Sequence, residues 1–177
     1  MASSSFLAVS SIVLSVMFFN GMVHVASQTD IISTICKKTR NPSFCLKVLK
    51  SAGTTDLKEL ANFTLNLGED KASQSRALAQ SLASKVVDPK LKERYDACAK
   101  HFDDAAEDMV DGKNSLDFGD YGLVNITADA AISDVDDCLD SFTQPPKDPS
   151  ALSDNGKVVE DICSIILVIA DLLLQRT

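Results

Sequence analysis

The groups from which this 177-residue chain could build chemistry are few: two histidines, five cysteines and 25 Asp+Glu. His24 and His101 lie far apart, and no HExxH, GxSxG or P-loop pattern accompanies either of them, so the usual zinc-protease, serine-hydrolase and nucleotide-binding signatures are missing. His101 reads as a solvated helix residue. Asp117-Phe118-Gly119 spells a kinase tripeptide, but a chain this short and helical cannot be a kinase. The richer pattern is acidic. Asp103-Asp104-Ala105-Ala106-Glu107 and Asp136-Asp137-Cys138-Leu139-Asp140 both fit DDxx[DE], a spacing with which neighbouring helices can hold magnesium on a diphosphate, as in isoprenoid synthases. A magnesium-dependent enzyme is therefore the rival reading. Against it, the second stretch contains a cysteine needed for a bridge, and a bundle of this size cannot enclose a prenyl chain. The expected state is a pair of solvated acidic faces, with no catalytic residue, metal or cofactor.

The elements that must carry these acids read as helices throughout. From Leu91 the apolar residues fall at Leu91, Tyr95, Cys98, Phe102, Ala105 and Met109, one buried helical stripe. Asp88-Pro89 supplies its cap and first position. A second stripe runs Tyr121, Val124, Ala128, Ala131, Val135, Cys138 and Phe142, with Asp120 as cap. The stretch from Gly112 to Gly119 is expected to be the loop between them. Asp56 to Val87 predicts a longer, more polar helix with Leu57, Leu60, Thr64, Leu67, Lys71, Ser75, Leu78, Leu82 and Val86 on its buried side. Gln144 to Pro149, with three prolines, is a linker that no helix crosses. Beyond it Ser153 or Asp154 caps a last helix whose segment Ile162 to Leu174 is apolar on nearly every side. That run is short and holds Asp171, so it is a core helix and not a membrane span. The fold class is all-α: an up-down-up-down four-helix bundle over 56–175 preceded by a helical hairpin over 28–52, broken at Arg40-Asn41-Pro42.

Charge and cysteine placement add a compartment. Residues 1–27 contain no Asp, Glu, Lys or Arg, and Phe6 to Phe19 is an apolar run of signal-peptide length ahead of the small residues Val25-Ala26-Ser27. Residues 1–27 are therefore expected to be a signal peptide and 28–177 the mature domain, which keeps the whole net charge of −8. The acid excess excludes nucleic acid, anionic membrane and direct binding of a polyanionic polysaccharide such as pectin. All five cysteines lie in the mature part. Cys98 and Cys138 sit on the core stripes of consecutive antiparallel helices, equidistant from the intervening loop, which makes a bridge between them geometrically reasonable. Cys36 and Cys45 flank the Arg40-Asn41-Pro42 turn in the same way, and Cys163 is left as a buried thiol. The sequons Asn62-Phe63-Thr64 and Asn125-Ile126-Thr127 offer glycosylation sites in a secreted protein. Opposite the core stripes, the Pro89 helix carries Asp96, Lys100, Asp103, Asp104, Glu107, Asp108 and Asp111, and the next helix Asp129, Ser133, Asp136, Asp137 and Asp140. Such a concentration of carboxylates fits docking to a basic protein better than catalysis.

A family resemblance runs through the same residues. Ile35-Cys36-Lys37-Lys38-Thr39-Arg40-Asn41-Pro42-Ser43-Phe44-Cys45-Leu46 resembles the N-terminal hairpin signature of the plant invertase/pectin methylesterase inhibitor family. The likeness continues through Asp88-Pro89-Lys90-Leu91-Lys92, Arg94-Tyr95 and Cys98, through Gly119-Asp120-Tyr121 and Asn125-Ile126 to Cys138, and ends at Asp140-Ser141-Phe142, Pro145-Pro146 and Glu160 to Ile169. It implies the hairpin-plus-bundle fold, the two bridges with a free fifth cysteine, and an inhibitor without enzymatic activity, secreted to the apoplast or cell wall. Invertase inhibitors of the family carry Pro-Lys-Phe in a loop of the bundle; Leu116-Asp117-Phe118 stands there with an acid in place of the base. Pectin methylesterase is thus the implied target, bound 1:1 and non-covalently across its pectin groove, with acid invertase the alternative. The resemblance places the contacts at Asp104, Glu107 and Asp140, which keep the family's acids, and at Lys100 and Asp137, which depart from its pattern.

Overall fold

A computed structural model of the chain describes residues 31–176; the expected leader, its cleavage point and His24 lie outside the described residues. The chain is helical at 31–36 (α1) and then forms α2 (Pro42–Ser51), α3 (Leu57–Lys85), α4 (Pro89–Phe118), α5 (Tyr121–Asp140) and α6 (Leu152–Leu174). There is no strand among the described residues. Helices α3 to α6 touch in a ring, α3 on α4, α4 on α5, α5 on α6 and α6 back on α3. Their cross-contacts run antiparallel. Lys113 meets Glu69 and Asp103 meets Arg76, so residue numbers fall along α4 as they rise along α3. The disulfide Cys98–Cys138 and the contact His101–Asp134 show the same for α4 and α5.

Local signals explain most boundaries. The Asp56 carboxylate accepts from the amides of Lys58 and Glu59, Asp88 from Lys90 and Leu91, and Asp120 from Leu123, each satisfying free N–H groups at a helix start. Gly119 has φ 77°, the left-handed conformation that closes a helix, and the Asp120 amide donates back to Ser115 O at 2.9 Å. Four expectations need correction. The stretch Gly112 to Gly119 is not a loop: α4 continues to Phe118, and only Gly119 and Asp120 join it to α5. Gly112 is an interior contact point, where a Cβ would lie 2.8 Å from Leu65 Cδ2 and 3.0 Å from Thr127 Oγ1. On α3 the buried side is Ala61, Leu65, Gly68, Ala72, Ala79 and Ala83 together with Leu57, Leu60, Thr64 and Ser75. Leu67, Lys71, Leu78, Leu82 and Val86 are only half-buried, because small residues let α3 approach its neighbours closely and push the larger ones to the flank. The last helix is capped neither by Ser153 nor by Asp154. It starts at Leu152, whose amide donates to Ser150 Oγ at 3.1 Å. Finally, His101 is half-buried and in contact with Asp134, not freely solvated.

The linker after α5 is fastened to the start of α4. The Arg94 guanidinium donates to the carbonyls of Gln144 and Pro146 and lies 5.8 Å from the Phe142 ring centroid. The Tyr95 hydroxyl donates to Asp148 Oδ1 at 2.6 Å; burial, and then this acidic partner, push its pKa up to about 12. The Pro145-Pro146 bond is cis. The N-terminal hairpin is closed by Cys36–Cys45, with Cα atoms 5.4 Å apart. Its turn is clasped by α6. Arg40 Nη2 lies 2.6 Å from Glu160, Asn41 Nδ2 donates to Asp161 at 2.7 Å, and the Arg40 amide donates to Ser164 Oγ at 3.2 Å. Helix α6 supplies the apolar floor through Ile162, Ile165, Ile166 and Ile169, with Cys163 a buried free thiol, pushed up to about 12 by burial. No helix among the described residues is long and apolar enough to cross a membrane.

Candidate functional site

The acidic face is built on α4 and α5, which the Cys98–Cys138 bridge holds with Cα atoms 4.7 Å apart. Both cysteines are buried on the stripes read from the sequence, so their outward neighbours are fixed in height and rotation. Lys100, Glu107, Asp137 and Asp140 are exposed and Asp104 is half-buried. Lys100, Asp104 and Glu107 follow one another at helical spacing on α4. Across the seam, Cys98 opposite Cys138 and His101 opposite Asp134 bring Lys100 level with Asp136 and Asp137.

The acids of these two helices have different fates. Arg76 of α3 takes up Asp103, and Lys92 takes up Asp96 at 2.8 Å. His101 takes up Asp134 at 3.3 Å. Asp136 shares a hydrogen bond with Glu160, a carboxyl that is 2% exposed in α6. Burial first, and then Asp136, push Glu160 up to about 7 against the opposing pull of Arg40. Asp108 is half-buried and is raised to about 6, by burial and then by the charges of Asp134, Asp111, Asp104 and Glu107. By contrast the side chains of Lys100, Asp104, Glu107, Asp137 and Asp140 make no hydrogen bond or ion pair among the described residues.

The two DDxx[DE] stretches are thus put to separate uses. Asp103 serves the α3–α4 seam and Asp136 the α5–α6 seam, while Asp104 turns toward His101 and Asp134. Those three residues bring ligand atoms within 4.8 Å of one another. Sequence reading missed Asp134, Glu160 and Arg40 as partners, because each acts through a residue remote in the chain. The sequons differ as well. Asn62 is exposed and its amide nitrogen has no partner among the described residues, whereas Asn125 Nδ2 donates to Asp171 at 3.0 Å across the α5–α6 seam.

The chain matches the family described as plant invertase/pectin methylesterase inhibitor over residues 30–169. It is 37% identical over 175 residues to a protein named pectinesterase inhibitor from Actinidia deliciosa, covering 97% of this chain and 95% of that one. It is 34% identical over 162 residues to pectinesterase inhibitor 2 of Arabidopsis thaliana, covering 90% of this chain and 93% of that one. The fold is similar to a crystal structure of a mutant form of a pectin methylesterase inhibitor from Arabidopsis, with a TM-score of 0.75 and 34% identity over 80% of this chain and 95% of that one.

Proposed function

The chain belongs to the plant invertase/pectin methylesterase inhibitor family, and from that premise we propose that it is an inhibitor of pectin methylesterase which binds the enzyme through the α4–α5 face. The invertase alternative is not favoured: relatives named for pectinesterase inhibition match most of the chain. Inhibition is non-covalent and steric. The bundle lies across the substrate groove of one esterase molecule, and Lys100, Asp104, Glu107, Asp137 and Asp140 meet its surface. One observation carries this placement. Asp96, Asp103 and Asp134 on the same helices are each taken up by a basic side chain, whereas these five charged side chains make no hydrogen bond or ion pair among the described residues. Exposed carboxylates without partners steer a basic protein and set its register, at little cost to the stability of the free bundle. The complex acts in the cell wall after secretion, a compartment that suits two disulfides.

The test is hydrolysis of pectin methyl esters by a plant pectin methylesterase, with the purified, disulfide-bonded protein titrated in. Sucrose hydrolysis by an acid invertase is run in parallel. Loss of esterase activity saturating at one inhibitor per enzyme, with invertase untouched, is the expected result. Loss of invertase activity alone would overturn the target.

A further inference from the structure

We propose that His101, Asp104 and Asp134 form a site for a divalent transition metal of the zinc class, at the seam between α4 and α5. Imidazole nitrogen and carboxylate oxygen bind zinc at about 2.0–2.2 Å, which places donors roughly 3.3 Å apart around a tetrahedral ion. His101 Nδ1 and Asp134 Oδ1 already stand at 3.3 Å, and all three residues offer atoms within 4.8 Å of one another.

The His101–Asp134 contact alone would be an ordinary interhelical hydrogen bond. Asp104 is the surplus. It is half-buried, one helical turn from His101, and is turned toward that pair while having no hydrogen bond or ion pair of its own. Arg76 is engaged by Asp103 and Lys92 by Asp96, and the exposed Lys100, one turn before Asp104, makes no ion pair with it. The charges of Asp108, Asp111 and Glu107 add to a local negative potential that a cation relieves. The donors sit on helices, not loops, and the adjacent Cys98–Cys138 bridge fixes their separation before any ion arrives. An imidazole among the donors selects zinc over magnesium, which prefers oxygen and its own water shell. Asp104 is also one of the five docking residues, so metal and esterase would compete for it; that consequence rests on the proposed function, whereas zinc affinity does not.

The measurement is calorimetric titration of the purified, disulfide-bonded protein with zinc chloride and, separately, magnesium chloride, in the absence of any esterase. One saturable zinc site is expected, with much weaker heat from magnesium. His101→Ala and Asp134→Asn should each weaken zinc at least roughly 10-fold, since even partners outside the coordination sphere cost about that much. A third variant, Asp104→Asn, removes the unpartnered donor without touching the His101–Asp134 contact, so a folding defect at that contact cannot mimic its result. Absence of saturable zinc binding, or zinc binding unaffected by His101→Ala and Asp104→Asn, would overturn the site. Zinc binding without esterase inhibition would leave it standing and refute the proposed function instead.

Discussion

Replacing Glu160 by Gln should remove a large share of the loss of stability that this protein suffers as pH rises from 5 to 8. The carboxyl is 2% exposed, with Arg40 of the hairpin turn 2.6 Å away, Asp136 of α5 sharing its hydrogen bond, and Asp161 next to it on α6. Burial and Asp136 outweigh Arg40, and folding lifts the group from 4.5 to about 7. The folded state therefore keeps a proton that the unfolded chain has released, and stability falls as pH rises through that window. Below 4.5 both states are protonated and nothing is lost. Above about 7 the penalty is complete. At 1.36 kcal/mol per pH decade the loss between pH 5 and pH 8 is roughly 2–3 kcal/mol. For a domain of this size that is about 4–12 °C in Tm. Glutamine keeps the shape, can donate to Asp136 and accept from Arg40, and never ionises. Asp108 titrates in the same direction but is present in both proteins, so its effect cancels in the comparison. Urea unfolding of wild type and Glu160→Gln at pH 5 and pH 8 is the assay. The two should differ little at pH 5, and the variant should be the more stable at pH 8. Parallel pH profiles would refute the argument, and a variant less stable at pH 8 would show that the Arg40 ion pair outweighs the cost of burying the charge.

The two interior glycines should respond differently to alanine. Gly68→Ala crowds the flexible Met109 side chain, with Ile162 Cγ2 at an ordinary 3.5 Å, and gains helix propensity of about 1 kcal/mol, so chemical denaturation should find it neutral or stabilised. Gly112→Ala is wedged between Leu65 and the buried, back-bonded Thr127 and should lose about 1–2 kcal/mol. Removing Cys98–Cys138 by paired alanines should cost about 4 kcal/mol, against about 2.7 for the shorter Cys36–Cys45 loop, as read from urea midpoints. Asp104→Lys with Glu107→Lys should weaken esterase inhibition at least roughly 10-fold, mainly in association rate, while the melting curve stays put; unchanged inhibition would move the interface off α4.

The parts of the fold that could be read from sequence are those where large side chains make the contact. Tyr95, Cys98, Phe102 and Met109 on α4, Tyr121, Val124, Val135 and Cys138 on α5, and Phe142 just beyond it are all buried at the spacing that announces them. The bridge between the two stripes follows. On α3 the contact is made by Ala, Gly and Ser, which carry little hydropathic signal, so the larger leucines beside them misplace its face. Gly112 misleads for a related reason. Its helix penalty of about 1 kcal/mol is offset by the approach of Leu65 and Thr127, a three-helix contact that no local window contains. The acidic site shows the same division more sharply. That α4 and α5 are acidic is composition; which acids remain free depends on their rotation against α3 and α6. Arg76 consumes Asp103 but not Asp104, its neighbour in sequence, because one faces α3 and the other faces α5. Asp136 turns to Glu160, while Asp137 faces solvent. Which carboxylates the proposed docking face can offer is thus set by helix rotation, which spends Asp96, Asp103 and Asp134 on basic neighbours and leaves Asp104, Glu107, Asp137 and Asp140 without one. A chain of equal acidity whose helices were rotated by one residue would present a different face to its partner.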